Sequence, residues 1–80
     1  MDTIAAVRNR ILQLCGEREI SINKLATISA LPPSSIKNIL YGKSINPGIV
    51  TIKMLCDGFD ITLNEFFNTE FFSSLEQEIK

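Results

Sequence analysis

The stretch from Ser21 to Gly42, SINKLATISALPPSSIKNILYG, predicts two short helices separated by a tight turn. Apolar or small side chains recur at the spacing of one helix face in each half, at Ile22, Leu25, Ala26 and Ser29 and again at Ile36, Ile39 and Leu40. Two apolar stripes of this kind are expected to face one another. The rest of the chain is interpreted as support for this pair.

The turn between the two helices contains two consecutive prolines. Leu31 and Pro32 each precede a proline, so both are expected to be extended. Pro33 can begin the second helix, because the first helical position needs no N–H group. Ala30 stands where a left-handed residue is expected, a conformation that costs about 1–2 kcal/mol for a residue with a Cβ. The pair therefore forms a helix-turn-helix unit, whose second helix can lie in a DNA major groove.

Length and composition favour one small globular domain. The chain has 80 residues, of which 45% are hydrophobic, and it can build one core. No apolar run approaches the roughly 18 residues of a membrane span, and the N-terminus lacks a signal-peptide pattern, so a cytoplasmic protein without membrane contact is expected. Cys15 and Cys56 are interpreted as buried small hydrophobic residues.

The net charge of −1 conceals an uneven distribution. From Arg8 to Lys53 there are seven basic and two acidic residues, whereas from Met54 to Lys80 there are six acidic residues and one lysine. A polyanion would approach the first part and be repelled by the second. The alternative is that both parts are ordinary solvated helix faces, and Arg8 and Arg10, which lie off the apolar stripe of the first helix, are expected to be solvated.

Helices are predicted on both sides of the central pair. Asp2 or Thr3 can cap the first helix and Gly16 is expected to end it, while Ser21 caps the second helix. The first helix should bury Ile4, Val7, Ile11 and Leu14, and the fourth should bury Ile49, Ile52, Leu55, Cys56 and Phe59. Gly58 is expected to mark the end of the fourth helix. Thr62 and Glu65 have the spacing of a capping box, which predicts a fifth helix that buries Leu63, Phe66 and Phe67.

The last segment, residues 68–80, adds a further apolar stripe with acidic residues between its members. Its apolar residues fall at helical spacing, at Phe71, Phe72, Leu75 and Ile79. This segment is either a sixth helix packed on the same core or a surface for a partner chain. The two are compatible, because a symmetric dimer uses the same patch on both subunits.

From Val7 to Phe67 the chain resembles the Cro/C1-type helix-turn-helix family, also called the XRE family, of bacterial and phage regulators. The resemblance is carried by Ser21, Leu25-Ala26, Leu31, Ser34-Ser35-Ile36, Ile39, Gly42-Lys43, Asn46-Pro47, Thr51, Leu55 and the ending Ile61-Thr62-Leu63-Asn64-Glu65-Phe66-Phe67. It implies an all-α, compact five-helix bundle of the lambda repressor-like type over residues 1–67, followed here by a short C-terminal helix in an extension over residues 68–80. It also implies a regulator, expected to be a repressor, that binds double-stranded operator DNA, usually as a homodimer.

The resemblance also implies roles for individual residues in the helix from Pro33 to Tyr41 and the loop after it. Base contacts are expected from Pro33, Ser34, Lys37 and Asn38. Phosphate contacts are expected from Ser35 and Tyr41 beside them and from Lys43, Ser44 and Asn46 in the loop; the start of the second helix adds Asn23 and Lys24, where free N–H groups favour phosphate. Tyr41 could instead pack against the fourth helix. The chain departs from the family at Ile22, where a phosphate-binding glutamine is frequent, and at Pro33, which has no donor.

Side-chain chemistry supports part of this assignment. Asn38 can pair with adenine through a donor and an acceptor together, which is worth roughly 1–3 kcal/mol of discrimination. Lys37 can reach guanine acceptors or a phosphate. Exposed lysine and asparagine side chains on a helix are also often simply solvated, and that alternative stays open for both.

Two other functional classes compete with DNA binding. An enzyme is not expected, and neither is a metal or other cofactor, because the chain has no histidine, no phosphate-binding glycine loop and two cysteines far apart in sequence. A protein-interaction module, such as the antitoxin of a toxin–antitoxin pair, remains an alternative. The acidic, phenylalanine-bearing tail and Ile22 favour a protein partner of that kind.

Overall fold

The computed structural model describes residues 1–79, and this part of the chain consists of six helices without a strand. The helices are α1 (Thr3–Arg18), α2 (Ile22–Ser29), α3 (Pro33–Leu40), α4 (Ile49–Phe59), α5 (Leu63–Phe67) and α6 (Glu70–Ser73). The first five form a bundle and α6 is a single turn. The predicted all-α bundle with a short C-terminal helix is confirmed.

Three helices begin at the side-chain caps that the sequence indicates. Asp2, Ser21 and Thr62 each accept a hydrogen bond from the backbone N–H group three residues further on, at 2.9, 3.0 and 3.0 Å. Glu65 closes the capping box, because its carboxylate accepts the Thr62 N–H group at 3.1 Å. Pro33 is the first residue of α3, as predicted, and Pro32 before it is extended.

The predicted glycine stops of α1 and α4 are wrong. Both helices continue past Gly16 and Gly58, and the left-handed residues that end them are Glu19, with φ 53°, and Asp60, with φ 58°. Ala30 ends α2 in the same conformation, with φ 55°, as predicted. Gly58 lies inside α4, so its presence there has a reason other than ending the helix.

Gly58 lies where α4 crosses α2 at short range. A Cβ atom at this position would lie 2.3 Å from the Oγ atom of Ser29 and 3.3 Å from the backbone carbonyl carbon of Ile28. Ser29 is buried, and its Oγ atom has no hydrogen-bond partner among the described residues. Gly58 thus permits close packing of the two helices rather than a helix end.

The core is built from the inward faces of α1 to α5. Its largest fully buried side chains are Phe59, Phe66, Ile11, Leu25, Ile36 and Leu55. Ile49 does not join them, contrary to the sequence prediction, because it lies at the first residue of α4 and lines an open groove; 60% of its surface is exposed.

The C-terminal extension is less helical than its spacing indicates. α6 ends at Ser73, and residues 74–79 are not helical. The Ser73 and Ser74 hydroxyl groups donate to backbone carbonyls four residues earlier, at 3.3 and 3.4 Å, and such bonds weaken helix propagation. Ile79 lies beyond the helix and is 87% exposed.

The phenylalanines of this extension differ in their surroundings. The Phe72 ring lies 4.9 Å from the Phe67 ring and 6.1 Å from the Phe66 ring, measured between centroids, and packs against the core. α6 lies against α1, and the Glu76 N–H group donates to the Met1 carbonyl at 3.3 Å. Phe71 and Leu75 are half-buried. Packing on the domain accounts for Phe72, and a dimer contact through this segment stays a prediction.

Candidate nucleic-acid interface

Helix α3 has one buried and one exposed face. Ile36, Ile39 and Leu40 are buried between the other helices, with Leu40 9% exposed. The opposite face carries the four residues expected to contact bases, and all of them are exposed: Pro33, Ser34, Lys37 and Asn38. Ser35 is half-buried at the edge of this face. The bundle thus holds α3 with its polar side toward solvent.

The backbone after α3 is attached to the end of that helix. The carbonyl oxygen of Asn38 accepts the N–H groups of Lys43 at 3.1 Å and Ser44 at 2.9 Å, and Gly42 takes φ 100° to allow this return. The start of the loop is therefore fixed relative to the backbone at the end of α3. Tyr41 is 69% exposed, so the packing against α4 considered for it leaves most of its surface free.

A polar cleft lies between α3, this loop and the start of α4. It measures about 250 Å³, and its polar side chains are Ser35, Asn38, Ser44, Asn46 and Thr51. These are hydroxyl and amide groups without a formal charge. They can donate hydrogen bonds to phosphate oxygens and carry no sequence information in doing so. The positive charge beside the cleft comes from Lys43, which is exposed.

The start of α2 presents the other expected phosphate contacts. Asn23 and Lys24 are exposed, but the N–H group of Lys24 already donates to the Ser21 hydroxyl at 3.0 Å. Ile22 is half-buried and packs against the core. The apolar residue at this position is therefore used for packing and offers no hydrogen bond to a phosphate.

Arg8 and Arg10 are half-buried and bonded within the domain, contrary to the sequence prediction that both are solvated. Arg8 Nε donates to the carbonyl of Ile39 at 2.7 Å, and Arg10 donates to the carbonyls of Phe66 and Glu65 at 2.8 Å each. Arg18 donates to the carbonyl of Phe59. We call these three side chains the α1 arginines. Each of them binds carbonyls in the last turn of a different helix, namely α3, α5 and α4.

This use of the α1 arginines changes the charge available for a polyanion. Lys53 is also engaged, because it forms an ion pair with Asp57, whose hydrogen bond raises the pKa of the lysine. The positive side chains beside the exposed face of α3 and at the start of α2 are Lys24, Lys37 and Lys43. The sequence does not reveal the arginine contacts, because their acceptors are backbone carbonyls distant in the chain.

Other kinds of site have little support within the described residues. Over residues 1–79, no three acidic, cysteine or histidine side chains gather where they could hold a metal ion. Cys15 and Cys56 are buried, as predicted, and burial raises the pKa of both thiols. Among the six helices described, none has the length and apolar character to cross a membrane.

The geometry defines a class of protein: a helix-turn-helix bundle in which α2 supports an exposed α3. Residues 10–71 match the Cro/C1-type HTH DNA-binding domain, and the chain belongs to that family. It is also similar to the crystal structure of the prophage Lp1 protein 11, with a TM-score of 0.80 and 26% sequence identity over 94% of this chain and 100% of that one. No curated protein matches the chain.

Proposed function

We propose that this protein is a sequence-specific transcriptional repressor that binds operator DNA as a homodimer and inserts α3 into the major groove. The observation that carries the proposal is the exposure of Lys37 and Asn38 on a helix whose other face is buried. A rigidly held polar helix face of this kind fits the width of the major groove.

Base reading is assigned to the first half of the exposed face. Asn38 pairs with adenine through its amide oxygen and nitrogen, and Lys37 binds guanine O6 or N7 or a phosphate. Ser34 adds an adaptable hydrogen bond of low discrimination. Pro33 has no donor and contributes apolar contact.

Phosphate binding is assigned to groups on both sides of α3. The hydroxyl and amide groups of the polar cleft, together with Lys43 and Tyr41, face the backbone strand on one side. Asn23 and Lys24 at the start of α2 face it on the other. These contacts fix the position of α3 in the groove. Removal of one of them lowers the affinity for every DNA sequence alike.

Selection of bound fragments from random duplex DNA tests the proposal. We expect enrichment of a two-fold symmetric sequence whose half-sites are about 34–36 Å apart, one turn of the duplex. Placed in a promoter, the enriched sequence should lower reporter transcription when the protein is present, and a promoter with a scrambled sequence is the control. Raised transcription would show that the protein is an activator and not a repressor. The absence of any enriched sequence would contradict the proposal.

A protein-interaction module, such as an antitoxin, is the second candidate. It is favoured by Ile79, which is 87% exposed and follows Glu76 and Glu78 in the non-helical end of the extension. This candidate predicts that the parent protein enriches no DNA sequence and that a basic protein partner binds with an affinity that Ile79→Ser lowers.

A further inference from the structure

Helix α3 depends on the rest of the bundle for its position. It has 8 residues, about two turns, and its N-cap residue, Pro32, makes no side-chain hydrogen bond. A helix of this length is marginal in isolation. Its backbone lies chiefly along α2, and its apolar face is buried through Ile36 and Ile39. Apolar contacts are not directional, so they permit small shifts of α3 that keep the same face buried.

Three consecutive carbonyl groups in the last turn of α3 each accept a hydrogen bond. The carbonyl of Lys37 accepts the Tyr41 N–H group at 2.8 Å, and that of Asn38 accepts N–H groups of the following loop. Both of these bonds are local. The carbonyl of Ile39 instead accepts the Nε–H group of Arg8 on α1 at 2.7 Å. Within the part of the chain that the structure describes, Arg8 alone bonds to the α3 backbone through its side chain.

The chemistry of the Arg8 bond favours a firm and directional contact. A guanidinium is positively charged, and the last carbonyls of a helix carry partial negative charge, so the bond is charge-assisted. Arg8 is half-buried, which reduces competition from water. Its planar group holds the donors in fixed directions. The bond therefore constrains where the Ile39 carbonyl lies relative to α1, which apolar packing does not.

The residues proposed to read bases belong to the same turn. Lys37 and Asn38 immediately precede Ile39, so a displacement of this turn moves both side chains. Pairing of Asn38 with adenine requires two hydrogen bonds at once, and hydrogen bonds weaken steeply as their geometry departs from the ideal. A lysine bound to a phosphate tolerates displacement better, because its ammonium group acts as a point charge.

We propose that Arg8 is a positioning residue for base reading: through its bond to the Ile39 carbonyl it sets the orientation of Lys37 and Asn38 without touching DNA. This inference rests on the proposed function for its effect on DNA binding, whereas the bond itself acts in the free protein. Arg10 and Arg18 bind carbonyls at the ends of α5 and α4. The three α1 arginines thus differ in which helix they hold, and Arg8 holds the helix proposed to enter the groove.

The substitution Arg8→Met tests the proposal, because it keeps most of the apolar stem and removes the donor. We expect the preference for the enriched operator over random duplex DNA to fall at least about tenfold, the scale of one base contact. The slope of log affinity against log salt should stay unchanged, since no phosphate contact is lost. Arg8→Lys restores a charged donor and should recover part of the preference.

Arg10→Met is the matched control, because it removes the same charge and the same kind of bond from α1 but releases α5. Below its unfolding transition it should keep the operator preference of the parent. Three results would overturn the proposal. Unchanged preference in Arg8→Met would remove the role, a salt slope lowered by about 1 would make Arg8 a phosphate contact, and an equal loss in Arg10→Met would make the effect one of general destabilisation.

Amide hydrogen exchange without DNA separates this proposal from DNA binding itself. In Arg8→Met the Tyr41 and Lys43 N–H groups should exchange faster than in Arg10→Met, relative to the core amides of α4, because the end of α3 opens locally. If the parent bound no DNA, the proposed function and the base-reading role would fail, while faster exchange would still show that Arg8 anchors α3. Exchange no faster than in Arg10→Met would contradict the anchor, whether or not the parent binds DNA.

Discussion

Asn38 has two separate tasks, since its side chain faces solvent while its carbonyl oxygen holds the following loop. Asn38→Ala retains the backbone bonds and removes the amide group. We expect it to lose about 1–3 kcal/mol of discrimination at one base position, measured by competition between operator variants. Lys43→Ala should instead weaken binding to all sequences alike. Base preference that is unchanged in both variants would remove this site assignment.

Gly58 and Ser29 form a pair whose coupling can be measured. Gly58→Ala gains about 1 kcal/mol of helix propensity but brings a Cβ atom against Ser29 Oγ, and overpacking of this kind costs about 1–3 kcal/mol. We expect a net loss in the free energy of unfolding, measured by urea denaturation. In a Ser29→Ala background the loss should shrink or reverse, since the hydroxyl group is gone. An equal effect in both backgrounds would show that Ser29 is not the obstacle.

Some residue roles can be predicted from the sequence because they depend on neighbours in the chain. Asp2, Ser21 and Thr62 cap helices through atoms three residues away, and Pro33 begins α3 through its own ring. The role of Gly58 depends on where another helix crosses it, and no local pattern contains that information.

Helix α1 is joined to other helices by side-chain to backbone bonds, and Arg10 makes two of them, to the carbonyls of Phe66 and Glu65. Arg10→Met should lower the free energy of unfolding by about 1.5–3 kcal/mol, because the carbonyls of Glu65 and Phe66 lose a charged donor. Urea denaturation measures this loss. Lys53→Ala is the control, since its ion pair with Asp57 is exposed and screened by solvent and should contribute little to stability. A similar small effect of both substitutions would mean that Arg10 is effectively solvated.

Apolar spacing predicted the helices α1 to α5, but it failed for the C-terminal extension. Spacing identifies a face that can be buried, and in α1 to α5 a partner helix covers that face. Beyond Ser73 the same spacing continues to Ile79, but the backbone is not helical there. The hydrogen bonds of the α1 arginines could not be predicted from the sequence either. An arginine bonded to a distant carbonyl and a solvated arginine occupy the same position on a helical wheel.

The number of basic side chains that neutralise phosphates sets the salt dependence of DNA binding. With Lys24, Lys37 and Lys43 as the phosphate partners, the slope of log affinity against log salt should be about −3 per copy, at roughly 0.9 per neutralised phosphate. If the α1 arginines also bound phosphates, the slope would approach about −5. Titrations at several salt concentrations decide between these values, and Lys43→Ala should reduce the slope by about 1. A flat response would contradict DNA binding altogether.

The uneven charge distribution illustrates what a whole-chain count can and cannot predict. Counting found a basic and an acidic part, and the basic part does contain α3. The count could not show that Arg8, Arg10 and Arg18 bind carbonyls within the chain. The charge distribution therefore identified a basic part that contains α3, but it overestimated the number of basic side chains that are not already bonded within the domain.

The α1 arginines also affect how the molecule opens. Because one helix holds the last turns of three others, separation of α1 would break contacts to α3, α4 and α5 at once. Amide protons buried in these helices should then exchange with solvent through a shared global event rather than through independent local fraying. A domain of this kind would bring α3 to the duplex already ordered, so association would require little further loss of backbone freedom.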